Sequence, residues 1–274
     1  MTADHRAARW LRVKPSPTRT PSVILGRMDA QITTRAERPE FGSTIWDMPD
    51  SWPAFMNQDP IALSMFGVVT APYPELTVVA IDPCGTVVAH GQATAFRLDM
   101  DGRRELPDTG WDQVLMWANS DLRKGVDPDI ASALEISIHP NWQGKGMSAR
   151  ILSALRAAAK ARGFDTLLAP VRPNHKHLEP ATPMAEYAFR IREDGLAHDP
   201  WLRTHVCAGG VIEKVAPASM VIGSSLAKWR EWTGLPFDTE GQVDVPHALT
   251  PVHCVPSQDY AVYVEPNVWV RHCL

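Results

Sequence analysis

The sequence predicts an α/β protein with a central sheet of mixed strand direction, and two observations carry this prediction. The runs LTVVAI (76–81) and TVVAHGQATAFRL (86–98), separated by the turn DPCG, have the pattern of a β-hairpin. Further along, a strand, a glycine-containing loop, an amphipathic helix and a second strand follow one another over 133–171. Because a hairpin is antiparallel and a strand–helix–strand unit is usually parallel, the sheet should contain both directions.

The composition is that of an ordinary soluble globular protein. Of the 274 residues, 45% are hydrophobic and 21% are charged, and the formal net charge is −4. No apolar run approaches the roughly 20 residues that a membrane span needs, and the negative charge excludes an overall basic footprint for nucleic acid. The four cysteines form no C-x-x-C pair. We therefore expect a cytoplasmic protein with reduced thiols, no membrane contact and no nucleic-acid partner.

The first 27 residues differ from the rest of the chain. They hold six basic residues against a single acid, Asp4, and include the Pro-, Ser- and Thr-rich stretch PSPTRTPS (15–22). Such a segment cannot bury enough apolar surface to fold. We predict a disordered basic leader at 1–27 and a single domain at 28–274 with a C-terminal embellishment; an upstream start, an expression remnant and a transit peptide remain alternatives for the leader.

The individual elements follow from local patterns. β-branched residues in QITTRAE (31–37) indicate the first strand, and Gly125 is placed to end a helix over 111–125 as its C-terminal cap. Pro140 stops the strand at 133–139, and apolar residues at helical spacing begin at Met147 and run to Gly163. The other predicted elements are two short Pro-punctuated helices within 39–66, a strand at 165–171, helices at about 183–194 and 199–208, and strands at 210–213 and 261–270.

The loop WQGKGMSA (142–149), between a strand and a helix, has the composition of an anion-binding loop. A Walker P-loop is excluded because Ser148 does not follow a Gly-Lys pair. The dinucleotide fingerprint matches at Gly144, Gly146 and Ala149. However, the dinucleotide fingerprint also requires an acidic residue at the end of the following strand, whereas Asp165 stands at the beginning of that strand. A dinucleotide site is therefore disfavoured, and an ordinary strand–helix turn remains a third possibility.

The same loop also reads Q-x-x-G-x-S, with Gln143, Gly146 and Ser148 at the fixed positions. The first N–H groups of a helix have no partner within the helix, and the positive end of its dipole favours an anion there. Glycine lets the backbone approach phosphate oxygens closely. This motif resembles the acyl-CoA-binding motif of the GNAT acetyltransferase superfamily, and the order of elements across 28–171 is similar to the GNAT order as well.

The resemblance implies a GNAT fold, in which a central mixed, mostly antiparallel sheet is flanked by helices and its central strands splay apart. The backbone of Ile136, Ser137 and Ile138 would then bind the pantetheine of acetyl-CoA, or of another acyl-CoA, which acts as co-substrate. Asn174 would bind pantetheine or substrate. The diphosphate would lie on the loop formed by Gln143, Gly144, Lys145, Gly146, Met147 and Ser148. No metal is implied, since His175 and His177 lack a third ligand of suitable spacing.

Two residues are candidates for moving protons. Glu135, on the strand beside the slot, could take a proton from the attacking amine. His205 in WLRTHVCAGG (201–210) stands where the superfamily usually has a tyrosine acid. Its ordinary pKa of about 6.5 suits a proton donor at neutral pH. Tyr187 in MAEYAF (184–189) is a rival for that role, although helix packing also explains it.

The resemblance implies N-acetyl transfer from acetyl-CoA to a small-molecule amine by direct attack. Histidine at the position of the tyrosine motivates an alternative, which is acyl transfer to a carrier protein or decarboxylation of a malonyl thioester. A non-catalytic CoA-sensing or partner-binding module is an alternative of another class. Acceptor pockets in this fold come from variable segments, here around 41–66, 99–125 and 178–204, and the exposed edge strands could mediate a homodimer.

Overall fold

The computed structural model describes residues 30–49 and 52–274. The predicted leader at 1–27 lies outside the described residues. The strands are β1 (Gln31–Thr34), β2 (Thr77–Ile81), β3 (Val87–Phe96), β4 (Ile130–Ile138), β5 (Thr166–Val171), β6 (Val211–Ser224), β7 (Gly241–Val243), β8 (Val252–Val255) and β9 (Tyr260–Cys273). The helices are α1 (Phe41–Thr44), α2 (Pro60–Thr70), α3 (Gly110–Lys124), α4 (Met147–Ala161), α5 (Met184–Tyr187), α6 (Pro200–Cys207) and α7 (Leu226–Thr233).

The nine strands form one sheet, and the predicted mixed, mostly antiparallel architecture is confirmed. The order across the sheet is β1-β2-β3-β4-β5-β9-β8-β7, and β6 pairs with β9 outside this path. Strands β4 and β5 are parallel, whereas the other pairs are antiparallel. The parallel pair lies at the centre because helix α4 carries the chain from one end of β4 back to the start of β5.

Helices cover both faces of the sheet and bury its two largest apolar clusters. On one face, Ile151 and Leu155 of α4 pack against Leu167 and Ala169 of β5. On the other face, the cluster joins α2 and α3 to Leu168 of β5 and to β6 and β9. Since successive side chains of a strand point to opposite faces, the two clusters identify an α4 face and an α2–α3 face of the central strands.

Most of the predicted elements are present, and the departures lie in the C-terminal third. Gly125 ends α3 in the left-handed conformation (φ 64°), as a C-terminal cap. The helix predicted at 183–194 is confined to Met184–Tyr187, and the chain then forms a turn closed by a bridge between Ile191 and Ala197. Asp194 and Gly195, at the tip of that turn, favour a turn over a helix.

Strands β6 and β9 are longer than the predicted runs at 210–213 and 261–270, with 14 residues each. The pairing of β6 with β9 is irregular between Ala216 and Met220 and again between Ile212 and Lys214. These irregularities interrupt the alternation of inward and outward side chains that identifies a strand from sequence. No helix within 30–49 and 52–274 combines the length and the apolar character that crossing a bilayer requires.

Candidate active site

The central feature of the site is a slot between β4 and β5. The two strands pair at Ala131↔Leu167 and Ser132↔Leu168, although they continue to Ile138 and Val171. Strand β5 meanwhile stays paired with β9 along its whole length. The strands therefore diverge beyond Ser132, as the resemblance implied for the central strands, and the slot opens toward the loop that precedes α4.

A β-bulge at Leu134 accompanies the divergence. Opposite β3, Glu135 is the partner of Gln92 and Ala133 is the partner of Ala93, so that Leu134 is an extra residue. A bulge bends its strand and increases the local twist. The carbonyl oxygen of Leu134 accepts a hydrogen bond of 2.8 Å from Nε1 of Trp111 in α3, so this buried backbone group is satisfied by a side chain.

Backbone groups of β4 point into the slot in an alternating pattern. The N–H of His139 donates to the carbonyl of Val88 in β3 at 2.9 Å. Because the polar groups of successive residues in a strand point to opposite edges, those of Ile138 and Ile136 point away from β3 and into the slot. The backbone groups of Ser137 point toward β3. Of the three predicted pantetheine-binding residues, Ile136 and Ile138 therefore present backbone groups to the slot, and the carbonyl of Ile138 already accepts a hydrogen bond from the amide of Gln143.

The glycine loop at the mouth of the slot has the conformation of an anion-binding site. Gly144 (φ 71°) and Gly146 (φ 74°) are both left-handed, a conformation that costs a residue with a Cβ about 1–2 kcal/mol. Gly146 is the N-terminal cap of the 15-residue helix α4, without a side-chain cap. The first N–H groups of α4, beginning with those of Met147 and Ser148, therefore point outward at the dipole's positive end.

Side chains around the loop hold its shape. The amide of Gln143 donates to the carbonyl of Ile138 at 3.3 Å, which ties the loop to the end of β4. The ammonium of Lys145 donates to the carbonyl of Asn141 at 2.6 Å and lies 5.9 Å from the ring centroid of the buried Trp142. Lys145 thus adds a positive charge at the loop. Asn174 is exposed in the turn after β5.

Glu135 lies on the α2–α3 face of β4, opposite Ile136 and Ile138, which pack against the α4 cluster. Its side chain is 15% exposed, and Oε1 lies 3.7 Å from Nε2 of His90. Burial lowers the pKa of His90 to about 4, so this imidazole is neutral at neutral pH. His90, which the sequence analysis did not single out, is a polar residue within the apolar run of β3, and that contrast is the signal that could have found it.

His205 lies at the far, paired end of β5 rather than at the slot. Its Nδ1 is 2.9 Å from Nε2 of His272, and His272 is the partner of Leu167 at the start of β5. Burial, with a further contribution from His272, lowers the pKa of His205 to about 3. A neutral buried imidazole is a poor proton donor. The acid role of His205 stays a prediction, and this geometry does not favour it.

Tyr187 is part of the packing between α5 and α6. Its hydroxyl donates to Oδ2 of Asp199 at 3.0 Å, while Oδ1 of Asp199 caps the N-terminus of α6. Burial and the charge of Asp199 raise the pKa of Tyr187 well above its ordinary value. These contacts favour the structural role. In the part of the chain that the structure describes, no group of three or more His, Cys, Asp or Glu residues could hold a metal ion.

Comparisons with known proteins agree with this geometry. No protein-family model matches the chain. An arginine N-acetyltransferase, avaD of Aspergillus versicolor, is 31% identical over 273 residues, which covers 88% of this chain and 93% of that protein. The loading GNATL domain of CurA from Lyngbya majuscula has a TM-score of 0.54 at 17% identity, covering 89% of this chain and 98% of its own. A GphF GNAT-like decarboxylase in complex with isobutyryl-CoA has a TM-score of 0.52 at 16% identity, with the same coverages. The two solved structures establish the likeness of fold.

Proposed function

Because the chain belongs to the GNAT superfamily and is an acyl-CoA-dependent N-acetyltransferase that acts on an amine, we propose that its donor is acetyl-CoA and its acceptor a small-molecule amine. The observation that carries the proposal is the slot between β4 and β5, which ends at the glycine loop. Since the relative from Aspergillus versicolor is named for arginine, arginine is the first acceptor to test.

The loop and the free edge of β4 bind the donor in this proposal. The N–H groups at the start of α4, with Gly144, Gly146 and Lys145, hold the diphosphate. The backbone N–H and carbonyl of Ile136 and the N–H of Ile138 bind the pantetheine amides as a neighbouring strand would. The amide of Gln143 keeps its bond to the carbonyl of Ile138 and fixes the loop. Asn174, in the exposed turn after β5, contacts the pantetheine arm in this proposal.

The chain's own groups then position and activate the amine. The donor supplies an electrophilic thioester carbonyl, toward which a backbone N–H of β4 donates a hydrogen bond and stabilises the developing oxyanion. Glu135 removes a proton from the entering ammonium, directly or through a water molecule, so that the nitrogen lone pair is free to attack. As the new C–N bond forms, the C–S bond breaks, and the nitrogen's second proton passes through water to the departing thiolate. The products are the acetamide and the CoA thiol.

The proposal is tested by thiol release from acetyl-CoA with a panel of amines that includes arginine. We expect release that depends on the amine, and mass spectrometry should find an acceptor heavier by one acetyl group. If calorimetry detected no binding of CoA, the proposal would be contradicted. Loss of CO2 from malonyl-CoA, or transfer to a carrier protein, would instead support the thioester alternative. CoA binding without turnover on any amine would support the sensing module.

A further inference from the structure

Three polar side chains lie in β3, a strand whose other residues are Val, Ala, Gly and Phe and which is buried along its whole length. They are His90, Gln92 and Thr94. Because Ala89 and Ala93 pack in the α4 cluster and successive side chains of a strand alternate, these three point to the α2–α3 face. The hydroxyl of Thr94 donates to the carbonyl of Val69 in α2 at 2.8 Å. Thr94 thus holds a helix to the sheet, whereas the imidazole of His90 faces the proposed base.

The pairing of β3 with β4 places His90 beside Glu135. His90 is the partner of Ser137, and Gln92 is the partner of Glu135. His90 and Glu135 are therefore diagonal neighbours on the α2–α3 face, close enough for long side chains to meet. Nε2 of His90 lies 3.7 Å from Oε1 of Glu135, and the two side chains are 4% and 15% exposed. A covered imidazole thus stands beside a carboxylate that still reaches the surface.

The surroundings of His90 determine which of its nitrogens carries the proton. Burial lowers the pKa of His90 to about 4, so the ring is neutral at neutral pH and has a single N–H. Nδ1 is buried without a hydrogen-bond partner in the part of the chain that the structure describes, whereas Nε2 faces the carboxylate of Glu135. The exposed Trp46 packs edge-on against the ring, with centroids 6.2 Å apart. Because a buried N–H without an acceptor is costly, the tautomer with its proton on Nε2 is favoured.

The separation of 3.7 Å between Nε2 and Oε1 is longer than a hydrogen bond, and it can close when substrate binds. Contacts between catalytic groups are often long in the absence of substrate and shorten in the complex. The last torsion of a glutamate side chain has a broad minimum, so a small rotation brings Oε1 of Glu135 to Nε2 of His90. An ionised carboxylate has about four acceptor sites on its two oxygens. Oε1 can therefore accept a hydrogen bond from His90 while Oε2 accepts a proton from an ammonium.

We propose that His90 is a positioning residue for the acetylation of the amine: its Nε2–H holds Oε1 of Glu135, so that Oε2 is directed at the ammonium of the acceptor. One proton passes from the ammonium nitrogen to Oε2, and His90 keeps its own proton throughout. A carboxylate held at one oxygen cannot turn away from the amine, and such orientation increases the rate. The inference rests on the proposed function for the role of Glu135, whereas the contact between the two side chains can be tested without turnover.

Two amide variants separate the N–H donor from the other properties of His90. The amide of His90→Gln ends at about the reach of Nε2, whereas the shorter amide of His90→Asn ends near the position of Nδ1. We expect kcat to fall about tenfold to a hundredfold in His90→Asn and much less in His90→Gln, with the KM for acetyl-CoA unchanged in both. Equal losses of kcat in the two variants would contradict the proposal. Thr94→Val, which removes another buried polar group from the same face of β3, is the control and should lower stability but change kcat little.

A double-mutant cycle with Glu135→Gln shows whether His90 acts through the base. Glutamine at this position takes no proton whichever way it is directed, so the loss of kcat caused by His90→Asn should nearly disappear in the Glu135→Gln protein. A merely structural role of His90 would lower kcat in both backgrounds alike. A loss by the same factor in both backgrounds, or no loss in the background that retains Glu135, would therefore overturn the proposal.

Nitrogen NMR of the histidine side chains separates this inference from the proposed function. His90 is assigned by the signal that His90→Gln removes, and we expect a neutral ring with its proton on Nε2, whose Nε2 shift changes in Glu135→Gln. If the wild-type protein acetylates no amine but shows this signal, the proposed function fails and the contact between His90 and Glu135 holds. A proton on Nδ1 alone, or an Nε2 shift that Glu135→Gln leaves unchanged, would overturn the inference and leave the proposed function intact.

Discussion

The indole Nε1 of Trp111 donates a 2.8 Å hydrogen bond to the carbonyl oxygen of Leu134, the extra residue of the bulge in β4. This bond fixes helix α3 to the place where the two central strands part. It also sets the first turn of α3, and hence Asp112, relative to Glu135. One side chain therefore links the start of α3 to the slot and to the strand that carries the proposed base.

Replacing Trp111 by Phe should weaken the attachment of helix α3 to strand β4. The change leaves the buried carbonyl of Leu134 without a donor, at a cost of about 1–3 kcal/mol in the free energy of unfolding. We expect this loss in urea denaturation and a lower kcat/KM for the amine. Trp117→Phe, on the same helix, is the matched control, and an equal loss of kcat/KM in both variants would show that the bond to Leu134 has no special role.

Glu135→Gln tests the proposed base. The amide keeps the size of the side chain but cannot accept the proton of the ammonium, so kcat should fall about 10²- to 10⁴-fold. The KM for acetyl-CoA should change little, because the donor is held by the loop and the backbone. Glu231→Gln, at an exposed residue of α7 paired with Lys228, is the control. A kcat within threefold of wild type would remove Glu135 from the mechanism.

The conformation of Gly146 should be needed for binding the donor. Alanine at φ 74° is strained by about 1–2 kcal/mol, so Gly146→Ala should lower stability and raise the KM for acetyl-CoA more than the KM for the amine. Gly67→Ala is the same chemical change at an exposed position inside α2, and it should raise helix stability by about 1 kcal/mol. Equal effects on the two KM values in Gly146→Ala would contradict a diphosphate site at this loop.

The raised pKa of Asp112 predicts a specific dependence of stability on pH. Its pKa is about 8 in the folded protein and about 3.9 in the unfolded chain. The folded state therefore binds the extra proton between about pH 4 and pH 8, and the contribution of Asp112 to stability falls as pH rises through that window. The charged groups facing it are Asp59 on α2 and Glu265 on β9, the latter paired with Arg172.

Asp112→Asn should remove this fall in stability between about pH 4 and pH 8. Relative to wild type, the variant should gain stability as pH rises toward 8 in denaturation series. Parallel stability curves for the variant and the wild-type protein would show that Asp112 does not carry the proton.

The buried pair of His205 and His272 should matter for stability more than for chemistry. Burial lowers their pKa values to about 3 and about 4, below the ordinary value of about 6.5, so the pair's contribution to stability should be lost as pH falls from about 6.5 toward 4. We expect His205→Gln to flatten this dependence and to change kcat less than tenfold. His253→Gln, at an exposed residue, is the control. A hundredfold loss of kcat in folded His205→Gln would reinstate its acid role.

The sequence by itself determined the features that depend on neighbours in the chain. The loop from Gln143 to Ser148 has its glycines where the chain must turn into a helix, and the start of α4 at Met147 follows from the apolar periodicity. The hairpin of β2 and β3 and the cap at Gly125 depend likewise on local backbone preferences. Such features can be predicted from sequence because interactions among a few neighbouring residues determine their free energy, independently of the rest of the fold.

Only the tertiary structure decided what distant residues do together. His205 fits an acid's position in the sequence, but its pairing with His272, 67 residues away, removes its charge because burial disfavours the ionised form. Nothing in the sequence around Asp59, Asp112 or Glu265 indicates that these carboxyl groups are buried. They lose their water only when α2, α3 and β9 pack together. Burial and electrostatic repulsion depend on which groups surround a side chain, and three-dimensional packing sets that environment.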